Sequence, residues 1–116
     1  MIFLMLDENA SFLMSNLLPP NTGVNGTVIW ISAGEFEKGK HSPRIKVVVG
    51  DQITLESLSQ AASITIIGSP KIIGNLPSKI TKNAIAFVKL NQTILIKYWE
   101  NEVSTREMLN SIINIK

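Results

Sequence analysis

The stretch "KHSPRIKVVVG" (40–50) gathers the side chains most capable of chemistry: Lys40, the single histidine His41, Arg44 and Lys46 stand around one proline. Cations spaced in this way neutralise phosphates in a salt-dependent manner, so Lys40, Arg44 and Lys46 are the candidate nucleic-acid contacts. His41 is the one candidate catalytic group, a general base if RNA were cleaved. The competing reading is plainer: a solvated loop that leads into the half-exposed strand begun by Arg44. Both stay open at the level of sequence.

The rest of the chemical inventory excludes more than it offers. One histidine rules out a two-histidine metal site, and the absence of cysteine removes thiolate zinc, a cysteine nucleophile and any disulfide. Neither a Gly-x-Gly-x-x-Gly nor a Walker-type phosphate loop occurs. Glu35 and Glu37, like Glu100 and Glu102, are paired carboxylates, but both pairs fall in polar connections, whereas acid–base work needs burial or close partners. Trp30, Tyr98 and Trp99 read as core or sheet-covering residues rather than a base-stacking platform. The sequence therefore calls for no cofactor and no metal.

These residues must be positioned by one domain, since 116 residues with 45 % hydrophobic and 17 % charged content support a single core. Four segments divide it. Residues 1–18 are apolar but broken by Asp7 and Glu8, with no preceding cation, so they read neither as a signal peptide nor as a span. They are expected either to dock on the body as an edge strand or helix, or to extend upstream of a start at Met5 or Met14. Residues 19–26 are a turn-rich linker. Residues 27–74 hold the sheet: "TVIWISA" (27–33), "RIKVVV" (44–49) and "ASITII" (62–67) are short and β-branched, "SPKIIG" (69–74) is an edge strand at most, and 51–60 is ambiguous. Alternation places Ile29 and Ile31 opposite Val28, Trp30 and Ser32, and Ile45, Val47 and Val49 opposite Arg44, Lys46 and Val48.

Residues 75–116 change to helical period. A helix over 78–99 carries Ile80, Ala84, Phe87, Ile94 and Tyr98 on one stripe, with Pro77 at its start and Asn101 helping to end it. A second helix follows, capped by Ser104 with Glu107 reaching back, and Met108, Leu109, Ile112 and Ile113 as its buried stripe. The expectation is an α+β fold: a small antiparallel, meander-like sheet of three to five strands, covered on one face by two C-terminal helices.

Charge is unevenly spread along the chain. Residues 1–37 have four carboxylates and no cation, whereas residues 38–97 have nine cations against Asp51 and Glu56, a net of +7. If Lys38, Lys40, Arg44 and Lys46 shared a surface with Lys79 or Lys82, that surface would suit nucleic acid. Nine lysines to two arginines is poor equipment for reading bases, where arginine forks are expected.

The order of "SPRIKVVVG", a strand around "ASITII", and "IIGNLPSKITKNAIAFVKLNQTILIKYWE" resembles a small bacterial domain family of unassigned function. That family is similar in a Pro-Pro-His-hydrophobic-His-Val strand, a Gly-x-Leu-Pro helix start and a helix ending in spaced Asn, Leu and Trp. Here the corresponding residues are Pro43 to Val47, Gly74 to Pro77, and Asn91, Leu95 and Trp99. The resemblance implies a toxin–antitoxin-like gene pair and hence a small protein partner. Arg44 and Lys46 stand where the family has two histidines, so a metal or acid–base role does not carry over and only a phosphate-facing one would. The functional expectation is a non-catalytic, cytoplasmic interaction protein, without a membrane segment, that works with a small partner or as a homo-oligomer. The alternative is a nucleic-acid-binding or toxin-like protein using the basic stretch 38–46.

Overall fold

A computed structural model describes residues 14–32, 43–50 and 54–115. Five strands follow one another as a meander: β1 (Met14–Leu17), β2 (Thr27–Ser32), β3 (Arg44–Val49), β4 (Ala62–Thr65) and β5 (Ile72–Ile73), each antiparallel to the next. A long helix, α3 (Ser78–Trp99), and a short one, α4 (Thr105–Ser111), complete the α+β fold; α1 (Pro19–Thr22) and α2 (Leu55–Ser59) are single turns between strands. Among the described residues no helix is long and apolar enough to cross a membrane.

Register decides which side chains meet the helices. Leu17, Ile29, Val47 and Ala62 lie side by side across four strands, and Ile45, Ile64 and Ile72 form a parallel row on the same face. These apolar rows close a single core with Ala84, Phe87, Val88, Leu95 and Tyr98 of α3 and Met108 of α4. Residues 84, 87, 88, 91, 95 and 98 recur at the spacing of one helix face, which is why α3 buries them and leaves Lys79, Lys82, Lys89 and Lys97 in solvent. Ile80, in the first turn of the helix, and Ile94, at the margin of the stripe, are only half-buried.

The two helix junctions were written into the sequence. Asn101 adopts the left-handed conformation at φ 62°, while the amide of Glu102 reaches the Lys97 carbonyl and that of Asn101 the Tyr98 carbonyl, so α3 ends in a closed turn. Ser104 then caps α4: its Oγ accepts from the Glu107 amide at 3.1 Å and its own amide donates to Glu107 Oε1 at 2.9 Å. A hydrogen bond of 2.8 Å between the Tyr98 hydroxyl and Thr105 Oγ1 ties the two helices together.

Several expectations need correction. Residues 19–26, expected as a turn-rich linker, do turn, and they also enter the core: Pro19 opens α1, Gly23 closes it at φ 80°, and Thr22 and Val24 are buried. Residues 14–17 form an edge strand on β2, in keeping with the docked reading of this segment, and residues 1–13 lie outside the described residues. The strand at "ASITII" stops at Thr65, and "SPKIIG" shortens to Ile72–Ile73 on the edge. Val49, expected on the face of Ile45 and Val47, is the last residue of β3 and is 54 % exposed. In α4 the buried residues are Thr105 and Met108, whereas Leu109 and Ile113 are exposed: the helix stops at Ser111, and only a narrow stripe faces α3. The second sheet face is not bare either, since Val28, Trp30, Val48 and Ser63 are all buried on it.

Residues past α4 turn back across the molecule. The Ile115 amide donates to the Thr22 carbonyl at 3.1 Å, and Asn114 Nδ2 to the Pro20 carbonyl at 3.1 Å. Gly23 lies under this tail so closely that a Cβ there would collide with Asn114 Oδ1 and stand 2.8 Å from Ile115 Cγ1.

Candidate functional site

Arg44 and Lys46 alternate with Ile45 and Val47 along β3, so their side chains leave the sheet on the face away from α3. On that face Asn16, Trp30, Lys46, Ser63 and Ile73 form one row across all five strands. Lys46 Nζ stands 5.8 Å from the centre of the Trp30 ring, a cation–π geometry, and both Arg44 and Lys46 are half-buried. Trp30 itself is only 9 % exposed, so it supports the lysine from below and offers no free ring for a base. Lys40 and His41, together with Lys38, Glu35 and Glu37, lie outside the described residues.

The sheet separates the cations of β3 from those of α3. Lys79 and Lys82 are on the helix that covers the Ile45 and Val47 face, hence on the opposite side from Arg44 and Lys46. One continuous basic surface joining the two sets is not formed. Arg44 instead has Thr65 as its cross-strand neighbour. An open depression of about 460 Å³ lies nearby, lined by Pro43, Thr65, Ile67, Ser69 and Lys71.

The ionisable groups whose affinities are displaced do structural work. Burial pushes the Tyr98 hydroxyl above its ordinary pKa, with the Thr105 hydrogen bond opposing the rise. Hydrogen bonds from Ser104, first its amide and then its hydroxyl, hold the Glu107 carboxyl below the usual range. Glu100 and Glu102 are exposed in the turn between α3 and α4. Among the described residues no group of three or more His, Cys, Asp or Glu could hold a metal ion.

A different surface stands out on geometry. Where the tail leaves α4 it runs beside α3, and the two enclose a groove of about 210 Å³ lined by Leu90, Ile94, Lys97, Ser111 and Ile113. Leu90 is 48 % exposed and Ile113 53 % exposed, and these two large apolar side chains face one cleft. Sequence reasoning missed this groove because Ile113 reads as part of a buried helical stripe. The signal lay in Leu90, which falls among the lysines of α3 rather than among its core residues. Comparison of the chain with protein-family models, with curated proteins and with solved structures finds no match in any of the three.

Proposed function

We propose that the protein is a non-catalytic interaction protein of the bacterial cytoplasm, which binds a small partner chain, of the gene-pair kind the resemblance implies, or a second copy of itself. The observation that carries this reading is the apolar groove between α3 and the tail, with Leu90 and Ile113 held open to solvent on its two walls. Such a cleft offers an apolar side chain of a partner a place to be buried, as at the centre of an interface. The polar networks around Tyr98 and Ser104 are consumed in holding the helices, which leaves the groove as a surface for contact rather than for reaction.

The test is sedimentation of the purified protein, alone and with helical peptides of acidic, neutral and basic amphipathic design, with Leu90→Asp/Ile113→Asp alongside. Self-association, or binding of any of these peptides, that the double substitution abolishes supports an interaction role. Monomeric behaviour without binding in every arm overturns it.

A second reading keeps the β3 cations. Arg44 and Lys46 share one sheet face, two residues apart, a placement compatible with contact to a phosphate backbone. Fluorescence polarisation with labelled RNA and DNA across a salt series tests it, with Arg44→Ala/Lys46→Ala as the control. Binding that falls steeply with salt and is lost in the double variant favours this reading; flat traces reject it.

A further inference from the structure

The 22 residues of α3 include Lys79, Lys82, Lys89 and Lys97 and no Asp or Glu. At 3.6 residues per turn these four lysines fall within a sector of about 80°, along about 27 Å of helix. All four are exposed, and among the described residues none of them is ion-paired. Leu90 and Ile94 flank this sector on the side towards the tail, and Lys97 is itself a wall of the groove.

An exposed helix of one sign has little reason of its own for that pattern. Alternating charges would give i, i+4 pairs and the same solubility. Lys97 has a local use, since a cation in the last turn complements the helix dipole. Lys79, Lys82 and Lys89 have no such use, and Lys79 and Lys82 stand near the N-terminal end, where cations oppose the dipole. The arrangement is therefore a field aimed outward, set directly beside an apolar cleft.

From this juxtaposition we propose that the groove receives an acidic amphipathic helix of a partner protein. Its apolar stripe would fill the cleft between Leu90 and Ile113, and its carboxylates would lie against the lysines of α3. The inference rests on the interaction reading above and adds the chemistry of the partner. Nucleic acid fits the surface less well: phosphates would find the lysines, but the adjoining apolar walls would stay wet, and no exposed aromatic ring lies on this face of α3. A helix with leucines at a and d positions and glutamates beside them uses both halves of the surface.

The experiment is a titration of the whole protein, followed by amide NMR shifts, with three probes: a four-turn Leu/Glu amphipathic peptide, its Leu/Lys counterpart, and a Leu/Glu scramble of equal charge. The Leu/Glu helix should bind with shifts centred on 90–97 and 111–113, while the other two should not. Lys89→Glu/Lys97→Glu should weaken it about tenfold, and added salt should weaken it further. Leu90→Asp/Ile113→Asp should abolish it; both positions are exposed, and circular dichroism of each variant confirms that the fold persists. Equal binding of the Leu/Lys helix at the groove, or self-association through it, would keep the interaction reading and overturn the acidic partner. Equal binding of the scramble reduces the contact to charge alone and also overturns it. No binding of any probe at the groove overturns it too, and the sedimentation experiment then decides the interaction reading separately. A labelled oligonucleotide that binds α3 in a manner indifferent to Leu90→Asp/Ile113→Asp would assign the lysines to nucleic acid instead.

Discussion

Asn91 holds Ile113 by both of its main-chain polar groups: Nδ2 donates to the Ile113 carbonyl at 2.9 Å, and Oδ1 accepts from the Ile113 amide at 2.7 Å. The same Nδ2 also lies 3.0 Å from the Phe87 carbonyl, so a buried amide in the apolar stripe of α3 is fully occupied. This clamp, together with the packing of Ile112 and Ile115 on the core, fixes the tail that forms one wall of the groove.

Asn91→Leu is accordingly expected to cost about 2 kcal/mol, because the Ile113 amide and carbonyl and the Phe87 carbonyl lose a partner at a part-buried site. Urea denaturation measures the loss, and hydrogen exchange should show faster exchange at 113–115. Asn91→Asp should be no better, since a carboxylate keeps the acceptor but sets oxygen against the Phe87 and Ile113 carbonyls. Unchanged exchange in the tail would show that the clamp is dispensable.

Gly23→Ala should destabilise more than Gly26→Ala. Both glycines have positive φ, 80° and 78°, but only at Gly23 would the new methyl group meet the tail. The backbone penalty alone is about 1 kcal/mol, expected at Gly26; at Gly23 about 2 kcal/mol or more is expected. The difference between the two variants, read by thermal or urea unfolding, isolates the contact with Asn114 and Ile115.

Ser104→Ala should cost about 1 kcal/mol through loss of the α4 cap. Glu107 adds a pH signature. Its carboxyl binds protons more weakly in the folded chain than in the unfolded one, so its contribution is present above the ordinary carboxylate value of about 4.3 and is lost as pH falls through the lowered native value. Glu107→Gln should flatten that acid limb in the difference from the parent; an identical limb in both would show that the carboxylate carries no such coupling.

Tyr98→Phe should cost about 1 kcal/mol by removing the hydrogen bond to Thr105. The raised native pKa has the opposite sign of linkage: its stabilisation is whole below the unfolded value of about 10 and is lost as pH rises through the native one. The chain has one tyrosine, so tyrosinate absorbance reports Tyr98 alone. Ionisation at the free-tyrosine value in the folded protein would contradict its burial.

The elements legible in the sequence were those whose determinants are local. β2 and β3 follow from alternation, α3 from the recurrence of Ala84, Phe87 and Tyr98, and the α4 start from Ser104 and Glu107, each a pattern complete within a few residues. What escaped depends on distant partners. Asn91 enters the sequence reading only through the resemblance, with nothing to pair it with Ile113, and Gly23 is one glycine of a turn-rich segment until the tail crosses it. Arg44 and Lys46 were legible as one strand face, but which side α3 would cover depends on packing, and that choice separates them from Lys79 and Lys82. The groove was hidden for the same reason: Ile113 at helical spacing from Met108 and Leu109 belongs to a stripe only if the helix continues, and it stops at Ser111.

The meander and the returning tail also impose an order of events in time. Among the described residues every strand pairs with its neighbour along the chain, so sheet formation closes only short loops and can proceed early. The bond from Asn114 to Pro20 spans 94 positions and has to wait until the sheet and α3 have brought its ends together. The α1 turn is thus secured by residues close to the other end of the described chain. Weakening that contact should leave the speed of folding almost untouched and be felt in how quickly the folded chain comes apart.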